Sequence, residues 1–324
     1  MIPDGFSIIL RYTDSNFAEL RELHCSEKIC RYLNISERKK EYSLNREAYM
    51  KLIEEISLNA WPSHKIELYD GWLIRFSHNY THRTNSVQQV GISSVPVEEK
   101  IAYCEAMYDN YHTPAIFKIN PLMDPSFDRM LEERGYEIQH TTEVMTMDLK
   151  KLNAYAPLSV EYEYYGRNSG LPSSIYYPNE TIVQLRDRIT DEWIHSLFRL
   201  NGTSNPTLRR IVPSMFKAIP KETIVASVEI EGRTVAVGLG ILDRGHVGLY
   251  AIYVDASCRR KGLGRCICSS ILSEAKKKGA EHAYLQVVQG NVHAKHLYTT
   301  LGYEDFYTYW FRVKNVTGTQ QEIS

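Results

Sequence analysis

The sequence predicts a mixed fold of the α/β (α+β) class, made of two similar units, each a mixed central sheet flanked by helices. Three observations predict it. The chain of 324 residues is long enough for two ordinary domains with ample core in each. Near its C-terminal end an apolar run, Val247–Val254, leads through a short basic glycine loop into an amphipathic segment, Cys266–Lys278. The order of strands, helix, strand, helix, Gly-Tyr and final strand also occurs twice.

Taken in order, residues 1–44 read as an N-terminal helical extension, with a strand over Phe6–Tyr12 and a helix from about Ser15 that Asp14 or Ser15 caps. The run Glu37–Tyr42 is a charged, solvated connection. The first repeated unit spans residues 45–150. Its helix, Asn45–Asn59, carries Tyr49, Leu52, Ile53 and Ile56 at helical spacing and stops at Trp61-Pro62. Strands Lys65–Leu68 and Trp72–Phe76 flank the turn Tyr69-Asp70-Gly71. A strand over Arg83–Val90, a helix Val97–Tyr111, a strand Ala115–Ile119, a helix Phe127–Arg134 and a strand Glu143–Leu149 complete it. Residues 151–180, rich in Tyr, Pro, Ser and Asn, read as a linker.

The second unit spans residues 181–315. It opens with a strand Thr181–Leu185, a helix Asp191–Leu200 capped by Thr190 or Asp191, the loop Asn201–Pro206 and a helix Leu208–Ile219. Strands Thr223–Ile230 and Thr234–Leu242 form a hairpin, and Asp243-Arg244-Gly245 turns into the strand before the glycine loop. A strand Ala283–Val288, a helix from Asn291 to Gly302 and a final strand follow, and residues 316–324 read as a flexible tail.

The loop itself is Arg259-Arg260-Lys261-Gly262-Leu263-Gly264-Arg265. Glycines let a ligand approach the backbone, and N–H groups at a helix start have no internal acceptor. With the cations around them they suit a pyrophosphate or a 3′-phosphorylated nucleotide. The loop is neither a P-loop nor a three-glycine dinucleotide fingerprint. It matches Arg/Gln-x-x-Gly-x-Gly/Ala through Arg259, Gly262 and Gly264. Downstream, Asn291, Ala294, Leu297, Tyr298, Gly302 and Tyr303 fill Asn-x-x-Ala-x-x-Leu-Tyr-x-x-x-Gly-Phe/Tyr. Ala294, Leu297, Tyr298 and Leu301 share one helical face, and Gly302 stops the helix.

These two motifs, in this order and spacing, resemble the GNAT acetyltransferase superfamily. The resemblance implies acetyl-CoA as cosubstrate and no metal. Arg259, Arg260, Lys261, Gly262, Leu263, Gly264 and Arg265 would bind the pyrophosphate, mostly through main-chain N–H, with side chains near the 3′-phosphate. In the family the strand before the loop splays from its parallel neighbour. Ile252, Tyr253 and Val254 would then pair with the pantetheine arm, and the N–H of Ile252 or Val254 would face the oxyanion. Asn291 would bond the pantetheine or lie beside it, and Tyr298 would be the general acid. A phenol near pKa 10 and a thiol near 8.5 are roughly matched for that proton transfer. The general base stays open: the strand His246–Val254 has no Glu, and Tyr250, His246, Glu229 and His195 are the candidates.

In the first unit the matching loop, Gly91–Pro96, has no cation, and Met130 stands near the place of Tyr298. That unit is therefore expected to be degenerate and non-catalytic. Its segment Gly71-Trp72-Leu73-Ile74-Arg75, with Arg83-Thr84-Asn85-Ser86-Val87, resembles the N-terminal half of two-domain bacterial GNAT proteins. Mycothiol synthase is a more distant example of the layout.

Composition excludes other classes. Lys plus Arg number 38 and Asp plus Glu 39, a balance that points to no nucleic-acid or membrane partner. No apolar run approaches a membrane span, so a soluble cytoplasmic protein is expected. The six cysteines lack metal-ligand spacing and are expected to be reduced. The sequence thus predicts an acetyl-CoA-dependent N-acetyltransferase acting on a primary amine by direct attack. The rival is an acyl-CoA-binding sensor or regulatory protein without significant catalysis. A metabolite amine, an aminoglycoside, a peptide N-terminus and a lysine all remain open as acceptors. The N-terminal unit either closes over the acceptor or mediates homodimerisation.

Overall fold

The computed structural model describes residues 45–152, 163–165 and 183–314. The expected extension over 1–44, the strand Phe6–Tyr12, nearly all of the linker and the tail 316–324 lie outside the described residues. From Met50 onward the chain forms one compact unit.

Helix α1 (residues 45–60) ends just before Trp61-Pro62. Strands β1 (Lys65–Tyr69) and β2 (Trp72–Phe76) form an antiparallel hairpin. Its turn residues, Asp70 and Gly71, both have positive φ, the geometry whose twist matches a two-residue hairpin. Asp70 also accepts from the backbone N–H groups of Ser94 and Val95 and pairs with the buried Lys100 at 3.2 Å. The Val95 N–H is the main reason its carboxyl is held down at about 2, against an ordinary 3.8. The folded value lies below the unfolded one, so this contribution is complete above about pH 4 and is lost as pH falls towards 2. Asp70→Asn is expected to flatten that part of the acid limb when urea midpoints are measured against pH.

The strand expected over Arg83–Val90 shrinks to β3 (Gln88–Gln89), preceded by a short 3₁₀ turn at His82–Thr84. Local side chains compete with the ladder here. Asn85 Oδ1 accepts from the N–H groups of Ser77 and Asn79, Asn85 Nδ2 donates to the Thr81 carbonyl, and Arg75 takes the Arg83 carbonyl. Helix α2 (Val97–Asn110), β4 (Ala115–Ile119) and α3 (Pro125–Glu133) follow as expected within two residues. Strand β5 (Glu137–Asp148) is longer than expected, starting directly after Gly135-Tyr136.

After β6 (Glu163–Tyr165) and β7 (Val183–Arg186) come α4 (Asp191–Asn201), capped by Thr190 at 3.2 Å, and α5 (Pro206–Lys217). Strands β8 (Glu222–Ile230), β9 (Arg233–Asp243) and β10 (His246–Val254) are an antiparallel meander. Helix α6 (Leu263–Lys277), β11 (His282–Val288), α7 (Val292–Thr300) and β12 (Glu304–Lys314) complete the chain.

One sheet joins the two halves, in the order β4-β12-β5-β11-β10-β9-β8-β7-β6. It is mixed: β10–β11 and β6–β7 are parallel and the other pairs antiparallel. Separate closed sheets for the two units are thus not what forms. The last strand of each half is exchanged: β12 pairs with β4, and β5 pairs with β11. The exchanged strands then pair with one another, which satisfies both of their edges.

Three clusters make the core. One packs α6 on the sheet, one packs α4 and α5 on its opposite face, and one fills the first half around Trp72, Phe117 and Phe127. Helix α6 comes close because β9 carries Gly238 and Gly240 beneath it. A Cβ on Gly238 would overlap the Ile267 side chain, and one on Gly240 that of Ile271. Gly240→Val is therefore expected to cost about 1–3 kcal/mol by overpacking, read from denaturant unfolding.

Candidate active site

The site begins where β10 leaves β11. Their parallel pairing covers only His246–Leu249 against His282–Leu285. Beyond it the strands diverge, and the register of β10 on β9 shifts between Tyr250 and Tyr253. Ala251 sits in the bulge at φ +49°. A left-handed alanine costs about 1–2 kcal/mol, strain of the kind that clusters at functional sites. The Asp255 N–H donates to Val235 of β9 at 2.8 Å. By the alternation of a strand, the N–H groups of Ile252 and Val254 point the other way, into the gap. Tyr253 is 39 % exposed.

The basic loop closes one end of this gap. Arg260 (φ +63°) and Gly262 (φ +82°) take left-handed conformations that turn the chain into α6. The first helical bond runs from the Cys266 N–H to the Gly262 carbonyl. The N–H groups of Leu263, Gly264 and Arg265 precede it and meet no acceptor among the described residues. Arg259, Arg260 and Lys261 are exposed and form no ion pair among the described residues. Free donors, a helix N-terminus and unpaired cations are the chemistry a pyrophosphate requires. Two side chains serve the fold as well. Arg259 Nε reaches the Val254 carbonyl at 3.3 Å, and Arg265 Nη2 holds the Thr300 carbonyl at 2.9 Å.

Helix α7 is thereby tied to the loop, and a Cβ on Gly264 would lie 3.3 Å from Leu297. The two sequence motifs are in contact. Tyr298, on the inner face of α7, packs against the α6 core and stands edge-on to Tyr303 at 6.1 Å. Its hydroxyl has no hydrogen-bond partner among the described residues. Burial pushes the phenol well above its ordinary value, and Cys268 and Tyr253 add to the effect. It is a neutral donor at any ordinary pH. Asn291 caps α7, its Oδ1 accepting from the Ala294 N–H at 3.2 Å, which leaves its Nδ2 to face outward contacts.

Of the four base candidates, only Tyr250 lies at the divergence. His246 is at the far end of β10, its Nδ1 donating to the Arg244 carbonyl at 2.7 Å and its ring stacked on His282. Glu229 and His195 are exposed on β8 and α4. The Tyr250 hydroxyl bonds that of Tyr284 at 2.8 Å, and burial first of all raises its pKa.

Residues of the first half complete the site, and the sequence did not place them there. Tyr250 and Ala251 face the α4–α5 side of the sheet. On that side Trp61 stacks on Tyr250 at 5.6 Å, and Arg83 donates to the Tyr309 hydroxyl at 2.7 Å, which donates to Gln286 at 2.8 Å. Tyr309 belongs to the exchanged strand β12, so the exchange itself carries Arg83 to the gap. The only signal in sequence was the Arg75…Arg83 segment.

A model of the acetyltransferase (GNAT) family matches residues 186–303, and one for the C-terminal part of a probable histone acetyltransferase, Rv0428c, matches residues 48–170. The second half of the chain thus belongs to the GNAT family. The two matches fall on the chain's two halves, so the chain is a tandem GNAT protein and an N-acetyltransferase by class. It is 24 % identical over 266 residues to the uncharacterized N-acetyltransferase YobR of Bacillus subtilis, covering 82 % of this chain and 98 % of that one. A GCN5-related N-acetyltransferase from Kribbella flavida shares the fold at TM-score 0.59 and 15 % identity, covering 82 % of this chain and 95 % of that one. A tandem GNAT protein from the clavulanic acid biosynthesis pathway does so at TM-score 0.55 and 12 % identity, covering 71 % and 74 %. Among the described residues no helix is long and apolar enough to cross a membrane, and no cluster of His, Cys, Asp and Glu is placed to hold a metal ion.

Proposed function

We propose that the chain transfers an acetyl group from acetyl-CoA to a primary amine by direct attack, using the gap between β10 and β11. The observation that carries this reading is the junction of that gap with the free N–H groups of Leu263–Arg265 at one end and Tyr298 alongside. The basic loop would hold the pyrophosphate, and the edge of β10 from Ile252 to Val254 would align the pantetheine arm. The amine nitrogen forms the C–N bond as the C–S bond breaks. The N–H of Ile252 or Val254 stabilises the oxyanion, and the departing sulfur takes the Tyr298 proton. The amine's surplus proton passes to water, from which Tyr298 is reprotonated. No carboxylate stands beside Tyr250 at the divergence among the residues that line it, which favours an amine that arrives neutral or loses its proton to solvent.

The test is acetyl-CoA mixed with a panel of amines while free thiol is followed. Amine-dependent thiol release supports the transferase. Acetyl-CoA binding with no release for any amine would favour the sensor reading.

A further inference from the structure

Among the described residues, buried Lys and Arg side chains have carboxylate partners, with one exception. Lys100 pairs with Asp70 at 3.2 Å, Lys118 with Glu54 at 2.6 Å and Arg312 with Asp128 at 2.8 Å. Arg75 is 2 % exposed and forms no ion pair among the described residues. It donates to the carbonyls of Arg83, at 2.7 Å, and Trp61, and its Nε is buried with no partner among the described residues. Arg83 lies directly against it, half-buried, with Nε on the Tyr309 hydroxyl and no ion pair of its own among the described residues. Lys118 adds no net charge, because Glu54 neutralises it and also accepts from the Tyr307 hydroxyl at 2.5 Å.

Two uncompensated guanidinium groups therefore face one small chamber with Tyr250, Gln286, Ser57 and Trp61. Burying unpaired charge is costly unless an anion completes the site. The chamber lies at the divergence of β10 and β11, on the α4–α5 side, opposite the side where α6 packs. Tyr250 and Tyr253, the residues on either side of the bulge, are close enough to act on the Arg83 charge. Its free space is about 10 Å³, room for one water. A ligand group larger than that would meet Arg83 from outside the chamber, where Tyr253, which is near enough to act on the Arg83 charge, is exposed.

We propose that the acceptor amine also carries a carboxylate, or an anionic oxygen group of the same kind, and that Arg83, with Arg75 behind it, binds that group. This rests on the acetyl-transfer reading and names its substrate class. A guanidinium takes a carboxylate through paired N–H donors, which fixes both the distance and the orientation of the amine. Polyamines, aminoglycosides and lysine-rich peptides bring like charge to the same place and are disfavoured.

The experiment compares matched pairs, glycine with glycinamide and β-alanine with β-alaninamide, plus spermidine. It reads kcat/KM and, independently, binding by ligand-observed NMR in the presence of CoA. The expected result is a preference for the carboxylate member of at least about tenfold by either readout. Arg83→Gln should abolish that preference chiefly through KM, and Arg83→Lys should keep part of it. Both variants should keep their melting temperature and their acetyl-CoA affinity within about twofold. Equal response to both members of each pair, no response to any carboxylate by either readout, or a preference for spermidine overturns the proposal. If the native protein fails to bind acetyl-CoA, the transferase reading fails instead; if it binds acetyl-CoA without carboxylate preference, only this inference does.

Discussion

Tyr298→Phe is expected to lower kcat by about 10²- to 10⁴-fold while leaving acetyl-CoA affinity within about twofold. The hydroxyl has no partner among the described residues, so its removal orphans no other group, and the ring that packs on α6 is retained. Thermal stability should hardly change. The phenol is held protonated by its burial, with Cys268 and Tyr253 adding to it, so within the pH range of ordinary assays the loss should be constant rather than titrating. Stopped-flow thiol release separates the chemical step from product release. Native turnover in the variant would mean that solvent protonates the sulfur and would remove Tyr298 from the mechanism.

The second large effect concerns the loop. Reversing two charges in Arg260→Glu with Lys261→Glu is expected to weaken acetyl-CoA about 10²-fold or more. Charge-assisted hydrogen bonds to a phosphate contribute about 1.5–3 kcal/mol each, reduced here by solvent because both side chains are exposed. The native affinity should fall with added salt, and that of the double variant should be nearly flat. Calorimetry in a salt series reads both. An unchanged affinity would place the pyrophosphate elsewhere. Neither side chain supports the core, so the fold should be unaffected.

The site was legible where it is local. The loop, α6 and α7 are written in contiguous patterns, and the structure joins them through Gly264, Leu297 and the Arg265–Thr300 bond. Helix and strand positions in the second half follow apolar periodicity and turn residues such as Asp243-Arg244-Gly245, whose last two members have positive φ.

Two things were not legible. The final strands of the halves, β5 and β12, each run antiparallel to the strand they close on and have the same sort of β pattern, so either can fill either sheet edge. Nothing in a run of alternating residues says which unit it will close. The Arg83–Val90 segment misled for a different reason. It has strand-forming residues, but Arg75 takes the Arg83 carbonyl and Asn85 is spent on the backbone of Ser77, Asn79 and Thr81, partners that all lie outside the segment. The two failures have one consequence. Exchange of β12 places Tyr309 between Arg83 and Gln286, and the misread turn presents Arg83 to it. The proposed acceptor side is built from contacts distant in sequence, whereas the proposed cofactor side is built from neighbours.

We propose that acetyl-CoA binds the second half alone, whose loop pairs free helix N–H groups with cations, whereas the matching Gly91–Pro96 loop of the first half carries no cation. Calorimetric titration of acetyl-CoA into the full chain tests it most directly. The expected result is one acetyl-CoA per chain, with that single isotherm weakened by the Arg260→Glu, Lys261→Glu double variant. Two sites per chain, or one site indifferent to the double variant, would contradict it.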